Sequence, residues 1–322
     1  MTTTRIARHA LVAWAAAAAA QALPSEVGGP LSQGEHQARL NGATIAYHVH
    51  GAGAVLIAHP GGPGAEWRYL RMPGVERMFT VVYLEPIGTG GSGRLDKPSD
   101  YRMARYVEDV EALRAHLGVH RFYLLGHSHG GFVAQAYALA HPDHLSGLIL
   151  YDTSPTTGAD WQADVEANTK WFSEEPWFQD ATAALALETS AKTDDDMTAI
   201  FKREEPLYFA DWTTHGSAYQ AELGDIRFFV GPTKATDPSA APGAGVAPPF
   251  EVRDELLRIK VPTLVIVGRK DFVCSLKMAQ AIAHGISGSE IVVLEHSGHM
   301  GHIEEPDAFA QAISDFLDSI KR

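Results

Sequence analysis

Three residues far apart in this 322-residue chain carry the groups that acyl transfer needs: a hydroxyl at Ser128, a carboxylate at Asp271 and an imidazole at His299. A serine is a weak nucleophile until a base takes its proton, and that base needs an acid to hold it in the right tautomer. Ser128 lies in Leu124-Leu125-Gly126-His127-Ser128-His129-Gly130-Gly131, between the apolar run Phe122 to Leu125 and the small-residue stretch Phe132 to Ala140. This context reads as strand, tight turn and helix, with glycines where a β-carbon would clash with a neighbouring element. The start of such a helix points N–H groups and the positive end of its dipole at the serine, where an oxyanion could be held.

The partners come later, in the order serine, acid, histidine, each directly after an expected strand. Gly268-Arg269-Lys270-Asp271 follows Thr263 to Val267, and Ser297-Gly298-His299 follows Glu290 to Leu294. Asp152 competes for the acid, since it follows the expected strand Leu148 to Tyr151; strand order favours Asp271. His296 and His302 compete with His299, and the three form His-x-x-His-x-x-His. In a loop that spacing fixes no common face, so the sequence is read as holding no metal, with His296 and His302 as polar loop residues. Cys274, the single cysteine, excludes an internal disulfide and a cysteine-based zinc site, and it is read as a small buried apolar residue.

The elements that must position these groups alternate along the chain. Gln37 to Leu40 and Thr44 to Val49 flank Asn41-Gly42, a two-residue hairpin signal. Ala54 to Ala58 and Phe79 to Leu84 are continuous apolar runs suited to strands buried on both faces. Tyr106 to Leu117 carries an apolar stripe at helical spacing and ends at Gly118. After the expected strand Thr263 to Val267 come a helix over Lys277 to His284 and a terminal helix over Pro306 to Ile320. Strand and helix alternation of this kind implies an α/β fold with right-handed crossovers and a mostly parallel sheet covered on both faces.

Composition excludes some partners and leaves others open. The net charge of −13 argues against nucleic acid and against an anionic membrane surface, both of which need clustered Lys and Arg. A small-molecule or short peptide substrate fits better, and the sequence carries no signal for oligomeric state. Arg5 and Arg8 precede an apolar run from Ala10 to Ala20, and Ala20-Gln21-Ala22 offers a small-x-small cleavage site. That pattern is expected of a secretory signal peptide and hence of a secreted or periplasmic protein. No later stretch reaches the ~18 uninterrupted apolar residues of a membrane span. The expected organisation is residues 1–22 as signal peptide, 23–36 as linker, 37–153 and 251–322 as two parts of a core, and 154–250 as a helical cap.

From Gln37 onward, apart from the insertion, the chain resembles the α/β-hydrolases, and within them the prolyl aminopeptidase-like group. The Gly-Gly-Pro-Gly of Gly61 to Gly64 resembles that group's oxyanion loop. The resemblance implies Ser128 as nucleophile, His299 as general base and acid, Asp271 as orienting carboxylate, and no cofactor. It implies further that the N–H of Gly61 or Gly62 acts with that of His129 on the oxyanion. The implied activity is cleavage of a small ester, lactone or N-terminal amide or peptide bond through an acyl-enzyme. A carboxylesterase or lactonase without peptidase activity and a cofactor-free perhydrolase share the same constellation; a non-catalytic ligand receptor would not need it intact. The chain departs from the group at Pro60, which separates His59 from Gly61, at His127 and His129 in the elbow, and at Ile87 where arginine is usual.

The insertion holds most of the negative charge: 15 acidic and 4 basic residues between Asp160 and Asp225. Solvated outer faces account for much of such charge. Glu204 and Glu205, beside the apolar run Pro206 to Phe209, are the candidates to turn inward and meet a substrate's amino group, as the resemblance implies. His59, His127 and Trp212 are further candidates for substrate contact. N-terminal sequencing of the protein from its native cells should read from Leu23; an intact Met1 or Thr2 would remove the export expectation.

Overall fold

The computed structural model describes residues 28–235 and 248–321. The expected signal peptide, part of the expected linker and residues 236–247 of the expected cap lie outside the described residues. Eight strands form one sheet: β1 (Gly34–Leu40), β2 (Ala43–Gly51), β3 (Ala54–His59), β4 (Phe79–Glu85), β5 (Phe122–His127), β6 (Leu145–Tyr151), β7 (Thr263–Gly268) and β8 (Glu290–Leu294). Their order across the sheet is β1-β2-β4-β3-β5-β6-β7-β8. The pairs β1–β2 and β2–β4 are antiparallel, and every other neighbouring pair is parallel. At the hairpin, Asn41 and Gly42 both take positive φ, 45° and 77°, the turn whose twist matches paired strands.

The apolar runs are continuous because both faces of the sheet are covered. Leu124, Leu148 and Val265 pack with Val110, Val133 and Ile282 of the helices Met103–His116, His129–Ala140 and Leu276–Gly285 on one face. Their strand neighbours Leu125, Ile149 and Leu264 pack with Phe309, Ile313 and Phe316 of the terminal helix Pro306–Ser319 on the other. Side chains alternating across each strand thus feed two cores.

Between β6 and β7 the described chain is mainly helical, with Ala159–Thr169, Phe178–Leu185, Asp194–Glu204, Trp212–Leu223 and Val230–Lys234. Much of its acidity has a local cause. Thr193 and Asp196 form a reciprocal cap, and Asp194 to Asp196 fill the first turn of their helix, where carboxylates meet the positive dipole end. Asp211 accepts from Thr214 N–H at 3.0 Å to cap the next helix, and Asp180 and Asp195 pair with Arg203 and Arg227. Among the described residues no helix is long and apolar enough to cross a membrane.

The strand-to-helix turn after β5 is the tightest junction. The helix begins at His129, three residues earlier than its apolar pattern indicates, because Gly130 and Gly131 carry no periodic signal yet are helical. A β-carbon on Gly126 would lie 2.2 Å from the carbonyl oxygen of Gly130, and one on Gly130 2.2 Å from that of His59. Gly126→Ala should therefore lower unfolding free energy by at least about 2 kcal/mol, the scale of forced overpacking, as read by denaturant titration.

Candidate active site

Ser128 occupies the turn at φ 55°, ψ −122°, a conformation rare for a side chain larger than hydrogen. It lines a cavity of about 890 Å³ together with Gly62, His129 and His299, within the size range of small-molecule sites. Met197, Phe201, Phe228 and Phe272 give much of the wall its apolar character. The Oγ of Ser128 and the Nε2 of His299 have no hydrogen-bond partner among the described residues.

His299 stands in the loop after β8, and its Nδ1 lies 2.7 Å from Oδ2 of Asp271. Asp271 is fully buried, and its Oδ1 accepts from the N–H groups of Val273 and Cys274, each at 2.9 Å. Three donors thus serve one carboxylate, which is how a buried charge is made tolerable. With Nδ1 turned to Asp271, Nε2 is the nitrogen left for chemistry in the cavity. The backbone N–H of His299 donates to the carbonyl of Tyr208 at 2.8 Å, which ties the loop to the inserted helices. Glu304 adds to that tie by accepting from Gly298 N–H at 2.7 Å and Ala210 N–H at 2.8 Å.

The two glycines of the expected oxyanion loop differ. Gly61 N–H donates to Oη of Tyr69 at 2.5 Å and is spent. The N–H groups of Gly62 and His129 have no acceptor among the described residues. Of the pair, Gly62 is the loop residue that reaches the cavity.

Other candidates lie elsewhere. The ring of His59 is buried behind the cavity wall against Tyr106 and His129, its Nδ1 on the Pro60 carbonyl at 2.9 Å, and burial holds it down at about 4. It does not line the cavity, because the last residue of β3 turns its side chain into the core. Trp212 packs against Phe209 and Tyr219 and does not line the cavity either. Glu205 is buried beside Gln220, and desolvation pushes it up to about 7; it too stops short of the cavity. His127 does line it. His302 has both ring nitrogens engaged, with Tyr151 Oη at 2.9 Å and the Tyr69 carbonyl at 2.7 Å, whereas His296 is exposed.

Glu204 is fully buried, and burial with the neighbouring Glu188 pushes it up to about 10. It does not line the cavity itself; Glu188 does. Desolvation raises Glu188 as well, and neither side-chain oxygen of Glu204 has a hydrogen-bond partner among the described residues. Sequence reasoning passed over Glu188, which stands in Leu187-Glu188-Thr189-Ser190 with no local signature of its role.

Asp152, at positive φ of 43°, is the second strained strand end beside Ser128. Its Oδ1 accepts from Gly268 N–H at 2.8 Å, and its Oδ2 has no partner. Burial and the Asp271 charge push Asp152 well above the usual carboxylate range, which favours its neutral form.

This architecture places the chain in a family: residues 54–306 match the model of the alpha/beta hydrolase fold, and the chain belongs to it. It is therefore a hydrolytic enzyme. Among curated proteins it is 29% identical over 296 residues to a proline iminopeptidase of Saccharolobus solfataricus, an alignment covering 85% of this chain and 88% of that one. Among solved structures it resembles a hydrolase from Pseudomonas aeruginosa PA01 at 27% identity and TM-score 0.62, covering 88% of this chain and 98% of the other. The enol-lactonase from Burkholderia xenovorans LB400 shares the fold at 23% identity and TM-score 0.64, covering 88% of this chain and all of the other, 100%.

At neutral pH Asp152→Asn should unfold within about 1 kcal/mol of the parent, since it keeps a neutral acceptor for Gly268, whereas Asp152→Ala should lose about 1 to 3 kcal/mol. A folded pKa above the unfolded one means the native state holds an extra proton, so this contribution fades as pH rises past the ordinary carboxylate range. Thermal unfolding across pH should show that slope in the parent and not in Asp152→Asn.

Proposed function

We propose that this enzyme hydrolyses a small acyl substrate bearing a free amino group, as an aminopeptidase of short peptides or aminoacyl amides and esters, through a covalent acyl-enzyme. The observation that carries the chemistry is the 2.7 Å bond from His299 Nδ1 to buried Asp271, opening on the cavity that Ser128 lines. In this reading His299 Nε2 takes the proton of Ser128 as Oγ attacks the carbonyl carbon, and Asp271 stabilises the imidazolium. The N–H groups of Gly62 and His129 hold the oxyanion of the tetrahedral intermediate. His299 then protonates the leaving group, and a water activated by the same imidazole releases the acid.

The amino-group preference rests on Glu188 and Glu204. An apolar cavity with the Glu188 carboxyl at one wall rewards a substrate that brings a cation to it, because burial makes each unpaired charge costly and each pair strong. The relatives named proline iminopeptidase support the same direction. A carboxylesterase or lactonase is the second reading, favoured by the apolar character of the rest of the wall.

A fluorophosphonate probe should label the parent and not Ser128→Ala; a folded parent that stays unlabelled would count against the nucleophile. Paired arylamides separate the substrate readings. Prolyl and alanyl p-nitroanilides should be cleaved only with an unblocked amino group, and Glu188→Gln should cut kcat/KM on them by at least about tenfold, the worth of one lost charge pair near 1.4 kcal/mol. The loss on p-nitrophenyl acetate should be smaller. Equal rates on blocked and free arylamides would select the esterase reading.

A further inference from the structure

We infer that Tyr69 and His127 act as a pair of positioning residues that hold the oxyanion loop in register with the nucleophile and assign the oxyanion to Gly62 rather than Gly61. The inference rests on the acyl-transfer reading of Ser128. It starts from four groups in a buried chain: Gly61 N–H to Tyr69 Oη at 2.5 Å, Tyr69 Oη to His127 Nδ1 at 2.8 Å, and His127 Nε2 to the His299 carbonyl at 2.9 Å.

The direction of every proton in this chain is fixed by its ends. A carbonyl oxygen only accepts, so His127 Nε2 carries the hydrogen and donates to His299. A neutral imidazole has one such hydrogen, so His127 Nδ1 is the acceptor and the Tyr69 hydroxyl donates to it. The lone pairs left on Oη accept from Gly61. Burial keeps both groups in the neutral forms this needs: it pushes the His127 imidazole well below its ordinary value, with His299 and His302 adding to the effect, and it raises the Tyr69 phenol.

The chain joins the three segments that must agree for the reaction to occur. Gly61 belongs to the loop after β3, His127 is the residue before Ser128, and the carbonyl belongs to His299 itself. Tyr69 is further pinned by its own carbonyl, which accepts from His302 Nε2 at 2.7 Å. Contact is close throughout: a β-carbon on Gly61 would lie 2.7 Å from Cβ of Ser128 and 3.0 Å from the Tyr69 hydroxyl. With its N–H bound to Tyr69, Gly61 cannot serve the substrate, and the adjacent N–H of Gly62 becomes the loop's donor. Placement of such donors governs stabilisation of the transition state more than binding of the ground state.

The test is Tyr69→Phe, which keeps the ring and removes the hydroxyl, assayed on p-nitrophenyl acetate and with a trifluoromethyl ketone whose hydrate mimics the tetrahedral oxyanion. The expected result is a fall in kcat of about 10- to 100-fold with KM within about twofold, part of what a whole oxyanion donor supplies. The inhibition constant of the trifluoromethyl ketone should rise in parallel. His127→Asn, whose amide oxygen can take the place of Nδ1, should retain more kcat than His127→Ala, and it decides the matter should Tyr69→Phe fail to fold. An unchanged kcat in folded Tyr69→Phe, or equal loss in the two His127 variants, would overturn the inference. Ser128→Ala in the same assay separates the two levels: if its turnover survives, the acyl-transfer reading fails and the relay with it. If its turnover is abolished while Tyr69→Phe is unaffected, only the relay fails.

Discussion

The molecule is organised by the approach of one backbone to another where β5 gives way to its helix. Gly126 meets the carbonyl of Gly130, and Gly130 meets that of His59, at distances no β-carbon survives. Strand, helix and the loop after β3 are thereby pressed together, and the chain has room to turn only if Ser128 accepts a left-handed backbone. Strain at that residue is sustained by two packed cores, one on each face of the sheet. The half-buried Ser128 at the cavity wall, the His129 N–H with no acceptor among the described residues and the nearness of the glycine loop are all consequences of the same crowding.

The imidazole is fixed by a separate route. Asp271 is saturated by two loop amides and by His299, while Asp152, one strand over, has one amide donor and an Oδ2 with no partner among the described residues. A second carboxyl alongside, in a buried site, raises the cost of ionising Asp152. Strand order favours Asp271 over Asp152, and the loop amides that distinguish the two carboxyls are ones that no residue spacing announces.

The sheet, the hairpin at Asn41-Gly42, the flanking helices and the strand-end positions of Ser128, Asp271 and His299 were legible because each has a periodic or turn signature. The contacts around them were not. Gly61 and Gly62 are chemically identical in sequence, and only the hydroxyl of Tyr69, eight residues along, distinguishes them. His59 sits beside the glycine loop yet faces the core. Glu204 was recognisable as a carboxylate beside an apolar run, but the neighbouring carboxyl that lines the cavity, Glu188, lies on a different segment of the insertion. The acidic bias there was read as solvated outer face for the most part, and Asp180 and Asp194 to Asp196 fit that, capping a helix start or pairing with arginines at the surface.

The attachment of the insertion to the histidine loop has a mechanical meaning. His299 holds the Tyr208 carbonyl through its own amide, and Glu304 clamps Gly298 and Ala210 on either side of the same seam. The inserted helices and the His299 loop are therefore hinged as one part. Lifting that roof at Tyr208 would break the amide tether and pull on the loop that carries the imidazole, so the seam couples cover and ring mechanically.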